Sequence, residues 1–139
     1  MVSQHIEIKA TPKQCYQVIT DYKNYPKFLK EIFAIEVQQK KAESCVVTYH
    51  IKIIKDITYT LKMTGKPHER VQWSFVEGDF MRDNHGFWQL EEIKKGVTKA
   101  TYNIEIKFGL LVPSLISTKL TENHLPAMLK AFKKRIEAF

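Results

Sequence analysis

From residue 33 to about residue 108 the chain alternates apolar and polar side chains with a period of two, and short turn-forming clusters are the only interruptions. Successive side chains of a strand point to opposite faces, so this pattern predicts consecutive antiparallel strands joined by tight turns, each with one buried and one wet face. Ile35 and Val37 open the series, and Lys40 to Glu43 form a polar turn. Val47, Tyr49, Ile51 and Ile53 then share a face, opposed by Thr48, His50 and Lys52. A turn is expected at Lys55-Asp56, after which Ile57, Tyr59, Leu61 and Met63 alternate with threonines and Lys62. Val71, Trp73 and Phe75 follow a break at Gly65 to Glu69, and Gly78-Asp79 leads into a loop carrying Phe80 and Met81. The sheet is expected to resume near His85, with Gly86, Trp88 and Leu90 on one face, and to end on Tyr102, Ile104, Ile106 and Phe108 after a turn at Lys94 to Gly96.

The flanks read differently. His5 to Ala10 alternates as a further half-buried strand, and Thr11-Pro12 supplies an N-cap and a first-turn proline for a helix that should fail at Asp21 to Asn24. A second helical turn is expected over Lys27 to Lys30. Pro113 is placed to open one long helix over 114–139, with Leu115, Ile116, Leu120, Leu129, Phe132 and Ile136 as its apolar stripe. Pro126 removes a backbone donor inside that stretch, which predicts a kink, or else two shorter helices meeting near His124. The expected fold is α+β: a curved antiparallel sheet of about seven strands around a C-terminal helix, with two short helices after the first strand. No repeat or composition shift divides residues 1–139, so one ligand-binding domain is expected.

Composition narrows the class without choosing a function. A chain of 139 residues with 44% hydrophobic and 12% aromatic content is large enough for a core without cross-links. Cys15 and Cys45 match no CxxC or zinc spacing and are expected to be reduced, buried thiols. No signal-peptide core and no apolar run long enough to span a bilayer is present, so a cytoplasmic protein, at most peripheral to a membrane, is expected. The formal charge of +7 favours acidic surfaces, headgroups and RNA alike, and equally describes a lysine-rich solubilising surface.

Three segments in order resemble the START-like, helix-grip (SRPBCC) superfamily, in its coenzyme Q-binding and polyketide cyclase-like branch, near a family of ribosome-association toxins. The first is Asp21-Tyr22-Lys23-Asn24-Tyr25-Pro26-Lys27-Phe28-Leu29, with Lys30 where relatives carry proline. The second is Glu77-Gly78-Asp79-Phe80-Met81 followed by Gly86-Phe87-Trp88-Gln89-Leu90, with Asp79 in place of a proline. The third runs from Gly109 to Lys119 with Leu125-Pro126 beyond it. The resemblance implies a quinone-type or lipid-type ligand between sheet and helix, in a carrier rather than a catalyst.

The residues themselves support the same class. Aromatic side chains that share a face with Ile, Leu and Met mark a buried layer more often than an RNA-stacking platform. The expected lining is Phe28, Tyr49, Ile51, Tyr59, Leu61, Trp73, Phe75, Trp88, Tyr102, Leu120 and Leu129, with Phe80, Met81, Leu110 and Leu111 as loops at the cavity mouth. Apolar loops beside Lys107 and Lys119 suit a lip that meets anionic headgroups, and suit plain packing on the helix equally well. His5, His50, His68, His85 and His124, with Asp79, Asp83 and Glu122, are the acid–base candidates, and none forms a catalytic motif. His50 and His68 are expected in solvent, His85 and His124 are the two that could reach the cavity, and structural or surface roles are expected for all five. No metal-ligand spacing or phosphate-binding glycine loop occurs, so no cofactor is expected. Two alternatives remain: a ribosome or RNA binder using Lys130, Lys133, Lys134 and Arg135, and a cyclase-like enzyme using His85 or His124. Oligomeric state is not legible.

Overall fold

The computed structural model describes residues 2–110, 112–120 and 124–139. Its strands are β1 (Val2–Ile8), β2 (Ile32–Gln38), β3 (Ser44–Ile53), β4 (Lys55–Lys66), β5 (Arg70–Gly78), β6 (Met81–Lys94) and β7 (Val97–Phe108). They form one antiparallel sheet in the order β1-β7-β6-β5-β4-β3-β2. Strands β2 to β7 are therefore a meander, and β1 closes its far edge on β7. The period-two reading holds strand by strand: Val47, Tyr49, Ile51 and Ile53 are buried, as are Ile57, Leu61 and Met63, and Gly86, Trp88 and Leu90.

Between β1 and β2 lie helix α1 (Pro12–Ile19) and a 3-10 turn (Tyr22–Lys27). Thr11 starts α1 with a full capping box: its hydroxyl accepts from the Gln14 amide and the Gln14 side chain accepts from the Thr11 amide. The second turn lies earlier than expected, on the residues read as turn formers. It holds because Tyr25 donates its hydroxyl back to the Ile19 carbonyl and packs its ring on Tyr22 and Phe132.

Three other expectations are corrected. Lys55 and Asp56 belong to β4 and pair with Ile53 and Lys52, so the reversal is made by Ile54 alone at φ 70°. The sheet resumes at Met81 rather than His85, because Asp79 fixes a tight loop by accepting from the Thr58 amide while its own amide donates to the Thr58 carbonyl. The C-terminal segment follows the second of its two expected courses, with α2 (Ser114–Thr118) and α3 (Leu125–Glu137) as separate elements, His124 capping α3 and residues 121–123 outside the described ones. Pro126 stands in the first turn of α3, where its missing N–H costs nothing. Pro113 precedes α2 as its cap rather than entering the first turn.

Helix α3 buries Leu125, Leu129, Phe132 and Ile136, and packs against β1 and α1. Its last turn is strapped to β1: the Glu137 carboxylate accepts from the Lys9 amide at 2.8 Å, and Lys133 donates to both Glu137 and the Glu7 carbonyl. The helix is thereby anchored at one edge of the sheet, and the concave face of the central strands is left with space beneath its first turns.

Candidate functional site

That space comprises two chambers, of about 90 and 120 Å³, which share Leu29, Ile32, Tyr59, Asn84, Tyr102, Ile104 and Met128 as walls. The inner one is aromatic. Tyr25, Tyr49, Leu61, Met63, Trp73, Trp88 and Phe132 complete it, with Tyr49 stacked on Tyr59 at 5.0 Å and Trp88 edge-on to Tyr102 at 4.9 Å. The outer one is aliphatic, bounded by Ile51, Ile53, Met81, Ile106 and Leu120, and Glu31 and His124 face each other at its rim at 3.4 Å.

Polar atoms in this lining are few. Asn84 is buried and accepts the Trp73 indole N–H at 3.0 Å, which fixes the indole plane and leaves the amide NH2 only a long contact to the Met81 sulfur. The hydroxyls of Tyr59 and Tyr102 have no hydrogen-bond partner among the described residues, and Tyr49 reaches only the Met63 sulfur at 3.6 Å. Burial pushes the phenols of Tyr49, Tyr59 and Tyr102 well above the usual tyrosine range, so they stay protonated and act as donors. The arrangement offers an apolar enclosure with two or three neutral donors for an acceptor oxygen.

Of the expected lining residues, Tyr49, Ile51, Tyr59, Leu61, Trp73, Trp88, Tyr102 and Leu120 border the chambers. Phe28, Phe75 and Leu129 do not. Phe28 turns outward onto Phe132 and Arg135, Phe75 is half-buried against the core, and Leu129 fills the layer beneath α3. Met81 lines the outer chamber, whereas Phe80 stands over it at φ 64° with the Lys55 ammonium 4.9 Å from its ring. Leu110 is 92% exposed, and Leu111, like Glu122, lies outside the described residues.

Tyr25, Leu29, Ile32, Asn84 and Met128 were not anticipated. For Asn84 the signal was present: Gly86, Trp88 and Leu90 face inward, and the same parity puts residue 84 inward and residue 85 outward. His85 accordingly sits on the convex face, between Asp83 at 2.7 Å and Glu105 at 3.2 Å, away from the cavity. His124 does border the outer chamber. His5 is exposed, His50 contacts Thr58 and Glu36, and His68 occupies a left-handed turn beside Tyr16. The basic face of α3 is partly engaged, since Lys133 is held by Glu137 and Arg135 lies over Phe28 and Phe139. Among the described residues no three His, Cys, Asp or Glu side chains converge as a metal site, and no helix is long and apolar enough to cross a membrane.

The architecture is that of known helix-grip proteins. The Zhui aromatase/cyclase of a Streptomyces species superposes with a TM-score of 0.89 at 14% identity, covering 98% of this chain and 92% of its own. A START superfamily protein of Mycobacterium smegmatis gives 0.85 at 16% identity, covering 99% and 97%. A STAR-related lipid transfer protein of Xanthomonas axonopodis gives 0.79 at 16%, covering 96% and 84%. No protein of curated function matches the sequence. The family model described as polyketide cyclase / dehydrase and lipid transport matches residues 8–133, almost the whole sheet and most of α3, and the chain belongs to that family.

Proposed function

We propose that this protein binds and carries a hydrophobic small molecule of quinone or lipid type, with the apolar body between sheet and α3 and an acceptor oxygen on the phenols of Tyr59 and Tyr102. The observation that supports this reading most directly is the pairing of an apolar enclosure with unpartnered, permanently protonated hydroxyls. Neither hydroxyl oxygen is sealed from solvent, so a ligand oxygen replaces water there and gains the net worth of a hydrogen bond, about 0.5–1.5 kcal/mol each. Ligand pockets usually measure about 300–1,000 Å³. The chambers are far smaller, so entry requires the wall of Leu120, His124 and Met128 to move away from the sheet.

The outer chamber opens at one end of the sheet, where the β3–β4 and β5–β6 turns and the end of β7 meet. Gly109 donates to the Phe80 carbonyl at 2.9 Å, and Arg82 to the Phe108 carbonyl at 3.2 Å. Ile54, 55% exposed, and Leu110 project there among Lys52, Lys55 and Lys107. Apolar tips beside lysines, of which Lys52 lies across from Asp56 and Lys107 across from Asp83, suit an anionic membrane surface as the place of loading.

Thermal unfolding with a short-chain benzoquinone and a medium-chain fatty acid, alongside native mass spectrometry of protein from its own host, tests the carrier reading. Binding adds about 2.7 kcal/mol of stability at about a hundred times Kd. Ile104→Phe, which fills the wall common to both chambers, is expected to abolish that gain. A protein that flies empty, with a melting temperature that neither compound raises, would sink the reading.

A further inference from the structure

A hollow larger than either chamber lies away from α3. A recess of about 280 Å³ lies at the other end of the sheet, between the end of α1, the 3-10 turn and the β2–β3 turn. Its apolar floor is Tyr16, Tyr22, Cys45 and Met63, and its rim carries Lys23, Lys40 and Lys41. None of the three ammonium groups has an ion-pair partner among the described residues. Asp21 and Glu43 are the only carboxylates in the lining, and Asp21 is already engaged by the Asn24 amide at 2.6 Å.

The recess is built rather than left over. A Cβ on Gly65 would stand 2.1 Å from the Tyr16 hydroxyl, so only glycine lets that phenol lie across β4 and form the wall. The Tyr16 and Tyr22 hydroxyls have no hydrogen-bond partner among the described residues, which adds two neutral donors to the three cationic ones. At roughly 30 Å³ per water, the volume equals about nine waters, the size of one substituted ring.

We propose that this recess is a second binding site, for a small aromatic anion whose phosphate or carboxylate group is held by Lys23, Lys40 and Lys41 while its ring lies against Tyr16 and Tyr22. The site does not depend on the carrier reading. Met63 is nevertheless a wall of both the recess and the inner chamber, so filling one is felt at the other.

Amide chemical-shift titration of the full chain with phenyl phosphate, benzoate, inorganic phosphate and benzyl alcohol tests it. Saturable shifts at Tyr16, Lys41, Cys45 and Gly65 are expected with phenyl phosphate or benzoate; the stronger of the two identifies the anionic group. Benzyl alcohol is expected to leave those signals in place and inorganic phosphate to bind at least tenfold more weakly. Replacing Lys40 and Lys41 together by alanine, both exposed and outside the core, is expected to weaken the aryl anion at least tenfold. Absence of saturable shifts at the recess, equal binding after loss of the lysines, or shifts confined to Tyr59, Asn84 and Tyr102 would each overturn the proposal. The last result would leave the carrier reading standing.

Discussion

Gly86 shows how one missing side chain organises the aromatic chamber. A Cβ at this position would come within 2.0 Å of the Asn103 carbonyl oxygen and 2.6 Å of the Trp73 ring. The indole therefore lies flat across β6, and Asn84, two residues away on the same face, receives its N–H. Gly86→Ala is expected to cost about 1–3 kcal/mol through overpacking. The backbone clash pushes β6 from β7 and the ring clash displaces the Trp73 indole, so a fall in melting temperature should come with a red-shifted tryptophan emission. Lost stability without a change in emission would mean that the strand yields and the indole stays.

At the scale of elements, the sheet is set by alternation and α3 is set by its anchor. Two hydrogen bonds, first from the Lys133 ammonium and then from the Lys9 amide, converge on Glu137 and hold its carboxyl below the usual glutamate range. A carboxyl that titrates lower in the folded than in the unfolded chain stabilises fully above the ordinary value of about 4.3, and that contribution disappears as pH falls through the folded value. The side chains of Lys133 and Glu137 are 34% and 28% exposed, so solvent screening limits the worth of the pair to about 1 kcal/mol or less. Glu137→Gln is expected to lower stability by that amount at pH 7 and by less at pH 3, as read from urea midpoints at the two pH values. An equal deficit at both would show that the amide disturbs packing instead of removing a charge.

For the molecule as a whole, the mouth is where stability and function pull apart. Ile54 is a β-branched residue held at φ 70°, a conformation that costs a residue with a Cβ about 1–2 kcal/mol, and it is exposed besides. Under the proposed loading at a membrane, burial of the Ile54 side chain in the bilayer surface would offset that strain. Ile54→Asn, which tolerates the left-handed region, is expected to raise stability by about 1 kcal/mol. The same change is expected to weaken sedimentation with anionic phosphatidylserine vesicles several-fold, an association that should also fall steeply with salt. If the variant is more stable and sediments undiminished, the lip does not touch the bilayer.

What the sequence determined by itself is the sheet and the class of ligand space. A two-residue period over most of the chain permits one arrangement of faces, and the Gly86-to-Leu90 segment and the Thr11 capping box carry their geometry in adjacent residues. The parity rule also contained Asn84 and excluded His85 from the cavity, although the histidine drew the chemical interpretation. Tertiary structure decided what local pattern cannot encode. Pro126 is harmless because α3 begins beside it, and Tyr25 turns inward because a carbonyl six residues away accepts its hydroxyl. Phe28 and Phe75 stay out of the chambers although their composition is that of a lining. Cavity membership depends on where elements distant in sequence approach one another. The strap that seats the end of α3 on the sheet joins Glu137 to Lys9, more than a hundred residues apart, and no window of sequence contains that contact.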